Sequence, residues 1–390
     1  MRLLRASQLS RQLLLIRHIA DAAPSGNALA ALDAARDRDP DAAARVIADP
    51  MIGAWTAHAV RKLRGGKPEE ADLGQLVAVA AVAAAHAGVD ADLAMVHHGT
   101  SVMIPTVGLL NGLSAGGTLN LRMRSRRLAV TGGEAVHRED LRHLIARGEP
   151  DRSVSLDDIS PYRDVYHAGA RGRLIDGDAD RWRGLFAGAW EILSRQADHR
   201  MVETAELVRT VVPLREDGSP IMRSATARQV FGALGTTMPS SAAAMAVTLI
   251  HEGSHSMLNG VLQLEALFDP KDPTLYFAPW RPDPRPVWGL FHGIFAFLAV
   301  ADLMNLLRAE PTEESAAERQ FAKIRGQLRP TLDALLGASS LTTSGHQFAA
   351  CMGERLARLE TAPVSRAASD FATQALNDDH ARRAYNGRAK

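Results

Sequence analysis

The run His251-Glu252-Gly253-Ser254-His255 reads H-E-x-x-H inside a long apolar segment, and it constrains the chain more than any other stretch. A helix turns once in about 3.6 residues, so positions four apart share a face and two imidazoles placed there can grip one metal ion. Glu252 projects to the side of that face, within reach of a water or substrate atom on the metal. Pro239-Ser240-Ser241 is a helix-start signal, and Ala242 to Leu249 are nearly all apolar or small, so the motif belongs on a buried helix. Polar groups buried in such a helix need partners. A metal supplies them; two core histidines bonded to backbone carbonyls would do so as well.

The residues after the motif separate chemistries. A metzincin continues with a Gly and a His where this chain has Leu258 and Val261, so that class is excluded. A gluzincin-type peptidase takes a Glu from the next helix, and Val287 to Arg308, helical by pattern, contains none. It does contain His292, set among Trp288, Leu290, Phe291, Ile294 and Phe295, which makes it the best third ligand on offer. The alternative for His292 is a satisfied core histidine without metal. Between the two helices, Tyr276 to Pro286 carries Pro279, Pro282, Pro284 and Pro286, which forbid helix and hold the backbone extended. Arg281 and Arg285 are thereby fixed in place, and a guanidinium fork binds carboxylate. They point to an anionic co-substrate, or else to salt bridges with Asp283 or Asp302.

H-E-x-x-H, then Pro-Trp-Arg-Pro-Asp-Pro-Arg-Pro, then the Gly289-Leu290-Phe291-His292-Gly293-Ile294-Phe295-Ala296-Phe297 helix resembles the HExxH-type, 2-oxoglutarate-dependent peptide β-hydroxylases that act on ribosomally made precursor peptides. The resemblance is close from Arg223 to Met304 and looser upstream, at Leu156 to Arg163 and Trp182 to Leu193. It implies an iron site using Fe(II), 2-oxoglutarate and O2, and a precursor peptide as substrate. The usual non-haem iron site is two histidines and a carboxylate. Here the third ligand is read as a histidine, with Glu265 and Asp302 the nearest carboxylates in sequence.

Composition bounds the partners. Hydrophobic residues make up 46% and charged residues 23%, so the chain can bury a large core. With 45 basic and 44 acidic side chains, bulk charge gives no reason to expect nucleic acid or a membrane as partner. Cys351 stands alone, which excludes an internal disulfide and a Cys-rich zinc site and suits a cytoplasmic setting. Met1 to Ala23 is broken by arginines and reads as an amphipathic helix, not a signal peptide. Leu76 to Ala85 is read as the longest apolar run, short of the roughly 18–20 residues that a membrane span needs.

Up to Gly88 the pattern is alanine-rich and helical, three or four packed helices. Val102 to Gly108 and Thr118 to Arg124 then read as a small antiparallel sheet, with Leu119, Leu121 and Met123 on one face and Asn120, Arg122 and Arg124 on the other. Arg126 continues the basic face, which is either a solvated surface or a ledge for an acidic peptide added as a strand. His97 and His98 point apart and make a poor metal pair. Val211 to Leu214 and Ile221 to Arg223 flank an Asp217-Gly218-Ser219-Pro220 turn and suggest a short hairpin. Ser224, Thr236 and Thr237 offer hydroxyls on the way to the motif helix, and Tyr276 opens the proline-rich loop, so Ser224 and Tyr276 are expected to face substrate. Pro311 to Glu314 marks a break before the last helices, and the tail from Asn386 is expected to fray.

The fold expected is α+β and predominantly α-helical: an H-E-x-x-H helix packed against a second ligand-bearing helix, with a small antiparallel sheet. A composition shift near Pro150 divides it into an N-terminal helical region with the sheet, 1–150, and a catalytic region, 151–390. Two chemistries remain open for a metal at His251, His255 and His292. In a zinc peptidase Glu252 takes a proton from metal-bound water. In an oxygenase Glu252 is not needed as a base, and Arg281 or Arg285 holds the distal carboxylate of 2-oxoglutarate. The rigid arginines and the resemblance favour the oxygenase; a peptide-binding module with a structural zinc is a third class, short of a fourth ligand.

Overall fold

The computed structural model describes residues 1–22, 26–132, 137–147, 149–166, 168–196, 199–219, 222–309 and 314–388. In it the chain forms two compact units, one of 1–187 with 208–240 and one of 188–207 with 241–390. It is 55% helical, with small sheets, which fits the mostly helical α+β class. The composition shift near Pro150 falls inside a strand, and the units divide elsewhere.

Among the described residues five helices open the first unit, α1 (Arg2–Ala22), α2 (Ala28–Arg38), α3 (Pro40–Ile47), α4 (Pro50–Arg64) and α5 (Glu70–Ala87). Their ends are written in the sequence: Asp39 accepts from Ala42 N–H at 3.0 Å and Asp49 from Met51 N–H at 2.8 Å, each followed by a proline at the first helical position. Leu76 to Ala85 is buried on every face, because alanines let neighbouring helices approach closely. Trp55 Nε1 donates to Asp72 O at 2.6 Å and so ties α4 to α5.

Eight strands come next among the described residues: β1 (Ala91–His97), β2 (Ser101–Ile104), β3 (Gly108–Asn111), β4 (Gly117–Arg124), β5 (Arg127–Thr131), β6 (His137–Asp140), β7 (Arg142–Ala146) and β8 (Glu149–Leu156). Leu119, Leu121 and Met123 are buried and their neighbours exposed, as alternation requires. The pairing differs from the one expected. β4 pairs with β1, with Leu93 opposite Leu121, in a β1-β4-β5 sheet, while β2 joins β3 and β6 in another. Alternation reveals which face of a strand is buried but not which strand lies beside it.

Helix α6 (Asp176–Gln196) runs from the first unit into the second, and α7 (His199–Ala205) belongs to the second. The chain then returns to the first unit with β9 (Thr210–Pro213), β10 (Ser224–Thr226) and β11 (Ala233–Thr236). These complete a mixed five-stranded sheet, β10-β11-β9-β8-β7, in which β9 lies parallel to both β8 and β11. The expected hairpin is therefore replaced: β11 lies between β10 and β9. Ser219 N–H does bond Asp217 Oδ1 at 3.1 Å, while Pro220 and Ile221 lie outside the described residues.

The second unit holds α8 (Ala242–Leu264), β12 (Leu275–Tyr276), β13 (Arg285–Pro286), α9 (Val287–Leu307), α10 (Glu314–Leu336), α11 (Thr343–Glu360) and α12 (Arg366–Arg388). The break at Pro311 to Glu313 lies outside the described residues, and α12 continues through Arg388. Ser241 caps α8, its side chain accepting from Ala244 N–H at 3.1 Å. Gly253 lets α7 approach: a Cβ there would sit 2.4 Å from Thr204 O. Leu290, Phe291, Ile294 and Leu298 of α9 share a core with Leu258, Phe321, Leu328 and Leu356. By length and composition α9, and not Leu76 to Ala85, is the one helix among the described residues apolar enough to cross a bilayer. With 61% of its most apolar stretch buried, its hydropathy matches that of a core helix.

Candidate functional site

Helices α8 and α9 bring the three histidines together. His251 and His255 lie one turn apart on α8, with Nε2 atoms 3.1 Å apart and rings edge-on at 4.6 Å. His292 of α9 approaches His255 from its other edge, Nδ1 to Nδ1 at 3.2 Å. All three are half-buried. Burial first, and then the proximity of His251 and His292, holds the His255 imidazole well below the usual histidine range; burial likewise lowers His251, against Glu252. Both are therefore neutral at pH 7, the form that carries a lone pair to a metal or to an N–H donor.

Metal–nitrogen bonds of about 2.0–2.1 Å place two ligand nitrogens roughly 3 Å apart, so the His251 and His255 pair fits one ion. His292 faces the opposite nitrogen of His255. The three rings thus form a row, and no group of three His, Cys, Asp or Glu converges as a metal-ligand set among the described residues. Of the carboxylates nearest in sequence, Glu265 accepts from Ser344 Oγ at 2.7 Å and Asp302 from Arg355 Nε at 2.5 Å, so both are committed elsewhere.

Glu252 is only 2% exposed and belongs to the buried side of α8, whereas the histidines reach its more open side. Around the histidines runs an aromatic wall, of which sequence reasoning singled out only Trp288 beside His292. The Phe297 ring centroid lies 5.0 Å from His251, Trp280 lies 4.8 Å from Phe297, and Trp288 lies 5.8 Å from His292. The signal was present in the spacing of Gly289 and Gly293 on α9, which clears one side of the helix for Arg285 and Trp280.

The proline-rich loop is closed by a two-stranded ladder in which Tyr276 pairs with Arg285. Burial raises the half-buried Tyr276 hydroxyl. Asp283 lies between the arginines, bonded to Arg285 Nη1 at 3.0 Å and Arg281 Nε at 3.3 Å, and the two guanidiniums hold its carboxyl below the usual range. The side chain of Arg281 is 53% exposed and that of Arg285 25%. Arg285 lies over the Trp288 indole, 5.2 Å from its centroid, and is thus one ring removed from His292.

No family model matches this chain, and no curated protein matches it by sequence.

The remaining expected residues belong to the first unit. Arg122 and Arg124 both pair with Asp92, at 3.0 and 2.5 Å. Arg126 donates to His86 O at 2.6 Å, at the C-terminal end of α5. Ser224 lies in β10 opposite Thr236. Thr236 donates to Thr237 O at 2.9 Å, and Thr237 Oγ1 accepts from Arg223 N–H at 3.1 Å.

Proposed function

We propose that this chain is a 2-oxoglutarate-dependent oxygenase that uses Fe(II) and O2 to hydroxylate a side-chain β-carbon of a ribosomally made precursor peptide. The observation that carries the reading is the 3.1 Å approach of the His251 and His255 Nε2 atoms on the open side of α8. His251 and His255 would hold the iron, which when bound supplies the oxidising chemistry. With the rings as they stand, His292 orients His255 through its second nitrogen, a role that fixes a ligand's ring and tautomer. To serve as the third ligand, His292 must turn toward the pair.

Charge supports the co-substrate. Two guanidiniums share the one Asp283 carboxylate, which leaves one positive charge on a stiff loop beside the histidines. Arg285, less exposed and stacked on Trp288, is the better anchor for the distal carboxylate of 2-oxoglutarate. Phe297, Trp280 and Trp288 limit water around the histidines and strengthen such charge contacts. The zinc peptidase reading needs Glu252 at a metal-bound water, and its burial on the closed side of α8 counts against that role. An acidic peptide docking on β4 would have to compete with Asp92 for Arg122 and Arg124.

Metal content after anaerobic purification, with oxygen-dependent 2-oxoglutarate turnover, tests the reading. Iron with turnover is expected. Stoichiometric zinc with no such turnover would sink it and return the peptidase.

A further inference from the structure

In the first unit, a cavity lined mostly by apolar side chains also gathers Asp49, Thr106, Asp157 and Thr210, with Trp55 in its wall. Asp157 is 1% exposed. Its Oδ1 accepts from the backbone N–H groups of Ile159 and Ser160, at 3.1 and 2.8 Å, while its Oδ2 has no hydrogen-bond partner. Thr210 Oγ1, on a fully buried residue of β9, is likewise unpartnered, and so is Thr106 Oγ1. Thr106 has φ 61°, a conformation that β-branched residues rarely adopt, in the turn between β2 and β3 where Val107 N–H bonds Ile104 O. Strain of this kind concentrates at functional sites.

The carboxylates of the cavity have cations near them but none bonded to them. Asp49 is 9% exposed and brings a second carboxylate, whose Oδ1 accepts from Met51 N–H at 2.8 Å; the ion pairs of Arg142 and Arg173 go to the adjacent Asp158, and none joins Asp49 or Asp157 to a described residue. The cations they feel most, Arg209 and Arg163, direct their guanidinium hydrogen bonds to backbone: Arg209 to Ala48 O and Arg45 O, Arg163 to Ser160 O and Arg171 O. Each unpartnered buried oxygen is costly, and folded proteins seldom leave several together.

We propose that this cavity binds a hard divalent cation through Asp157 Oδ2, the Asp49 carboxylate and the hydroxyls of Thr106 and Thr210. Every ligand is an oxygen, the set that suits calcium and magnesium and not the softer metals of an imidazole site. The space open to the centre of a water molecule is about 20 Å³. A single water needs about 10–15 Å³ on that measure, so there is room for one ion and at most one accompanying water. Magnesium keeps several waters in a strict octahedron, for which there is no room, whereas calcium accepts irregular oxygen sets; with Asp49 binding through both oxygens and one water, the ligands reach six, the lower end of calcium's range. Two carboxylates balance its charge. The ion would join the start of α4, the β2–β3 turn, the end of β8 and β9, segments far apart in sequence.

The test uses the full chain, stripped with EDTA and dialysed, with terbium as a luminescent probe excited through tryptophan and displaced by calcium, and with thermal unfolding read in parallel. Asp157→Asn keeps the oxygen that accepts from Ile159 and Ser160, so its fold is preserved; Thr210→Val keeps the shape of a side chain whose hydroxyl has no partner. Wild type should bind calcium and gain several degrees in unfolding midpoint, a gain that arises from binding only the folded state. Asp157→Asn should lose affinity by about tenfold or more, and Thr210→Val should lose less. The double variant His251→Ala/His255→Ala should bind calcium as wild type does, which separates this site from the histidines. No displacement by millimolar calcium, unchanged affinity in Asp157→Asn, or loss of calcium binding in the histidine variant would each overturn the proposal.

Discussion

Trp280 is seated on Gly293: a Cβ at position 293 would fall 2.2 Å from the indole Cζ2. The same indole meets Phe297 at a tilt, and Phe297 in turn contacts His251, so one missing methyl group on α9 sets the wall beside a candidate metal ligand. Gly293→Ala should push Trp280 off the helix at a cost of about 1–3 kcal/mol, the range for overpacking. Metal affinity should fall with it. Gly184 of α6, with no atom within 4 Å of an added Cβ, provides the control, and Ala there should stabilise by about 0.5–1 kcal/mol. Denaturant unfolding of both variants decides the matter: a Gly293→Ala protein as stable as wild type would mean that the indole is not confined by that contact.

The row of imidazoles gives different expectations for its members. His251→Ala and His255→Ala each remove one of the two nitrogens 3.1 Å apart and should abolish stoichiometric iron or zinc. His292 meets the opposite nitrogen of His255, so His292→Ala should weaken the metal by about 10–100-fold, the usual effect of removing a residue that orients a ligand. Metal content and competition with a chelator measure both. Loss as complete at His292 as at His255 would show that His292 turns to become a third ligand.

Much of the second unit was legible because its signals are local. Ser241 announces the start of α8, Pro286 directly precedes α9, and the spacing of His251 and His255 alone puts both on one face. What the spacing could not convey is the direction from which α9 arrives, and that direction places His292 on the far edge of His255. The first unit shows the same limit in its sheets. Alternation along Thr118 to Arg124 gave the buried face correctly, yet the partner strand came from Ala91 to His97, because register and neighbour are set by packing over long sequence distances. The arginines of that strand looked available for a peptide in sequence and are occupied by Asp92 in the fold.

Burial pushes the Asp157 carboxyl up to about 6, against the backbone N–H groups of Ser160 and Ile159 and the charge of Arg163, with Asp49 adding to the rise. The unfolded chain titrates this group near 3.9, so the fold favours its protonated form. That stabilisation is present in full below about pH 4 and is lost as pH rises through about 6. At about 1.4 kcal/mol per unit, the loss is on the order of 3 kcal/mol between pH 4 and pH 7. In EDTA, Asp157→Asn, which does not titrate, should gain on wild type by that order over the same interval, read from urea midpoints. Parallel pH profiles for the two proteins would place the carboxyl in contact with water instead.

Arg281 and Arg285 share Asp283 but differ in what else they touch, and lysine separates their roles. Lysine keeps the charge and lacks the planar fork. At Arg285 the change loses both a two-pronged grip on a carboxylate and the stacking on Trp288, one ring from His292. A charged hydrogen bond contributes about 1.5–3 kcal/mol, so Arg285→Lys should raise the apparent 2-oxoglutarate constant by at least about tenfold. Arg281, more exposed and bonded to Asp283 at 3.3 Å, should behave as a surface ion pair, worth no more than about 1 kcal/mol. Arg281→Lys should therefore leave co-substrate affinity near wild type. Titration of 2-oxoglutarate into anaerobic, iron-loaded protein reads both effects. If both variants keep wild-type affinity, the anion is held elsewhere and the charge on the proline-rich loop no longer distinguishes an oxygenase from a peptidase.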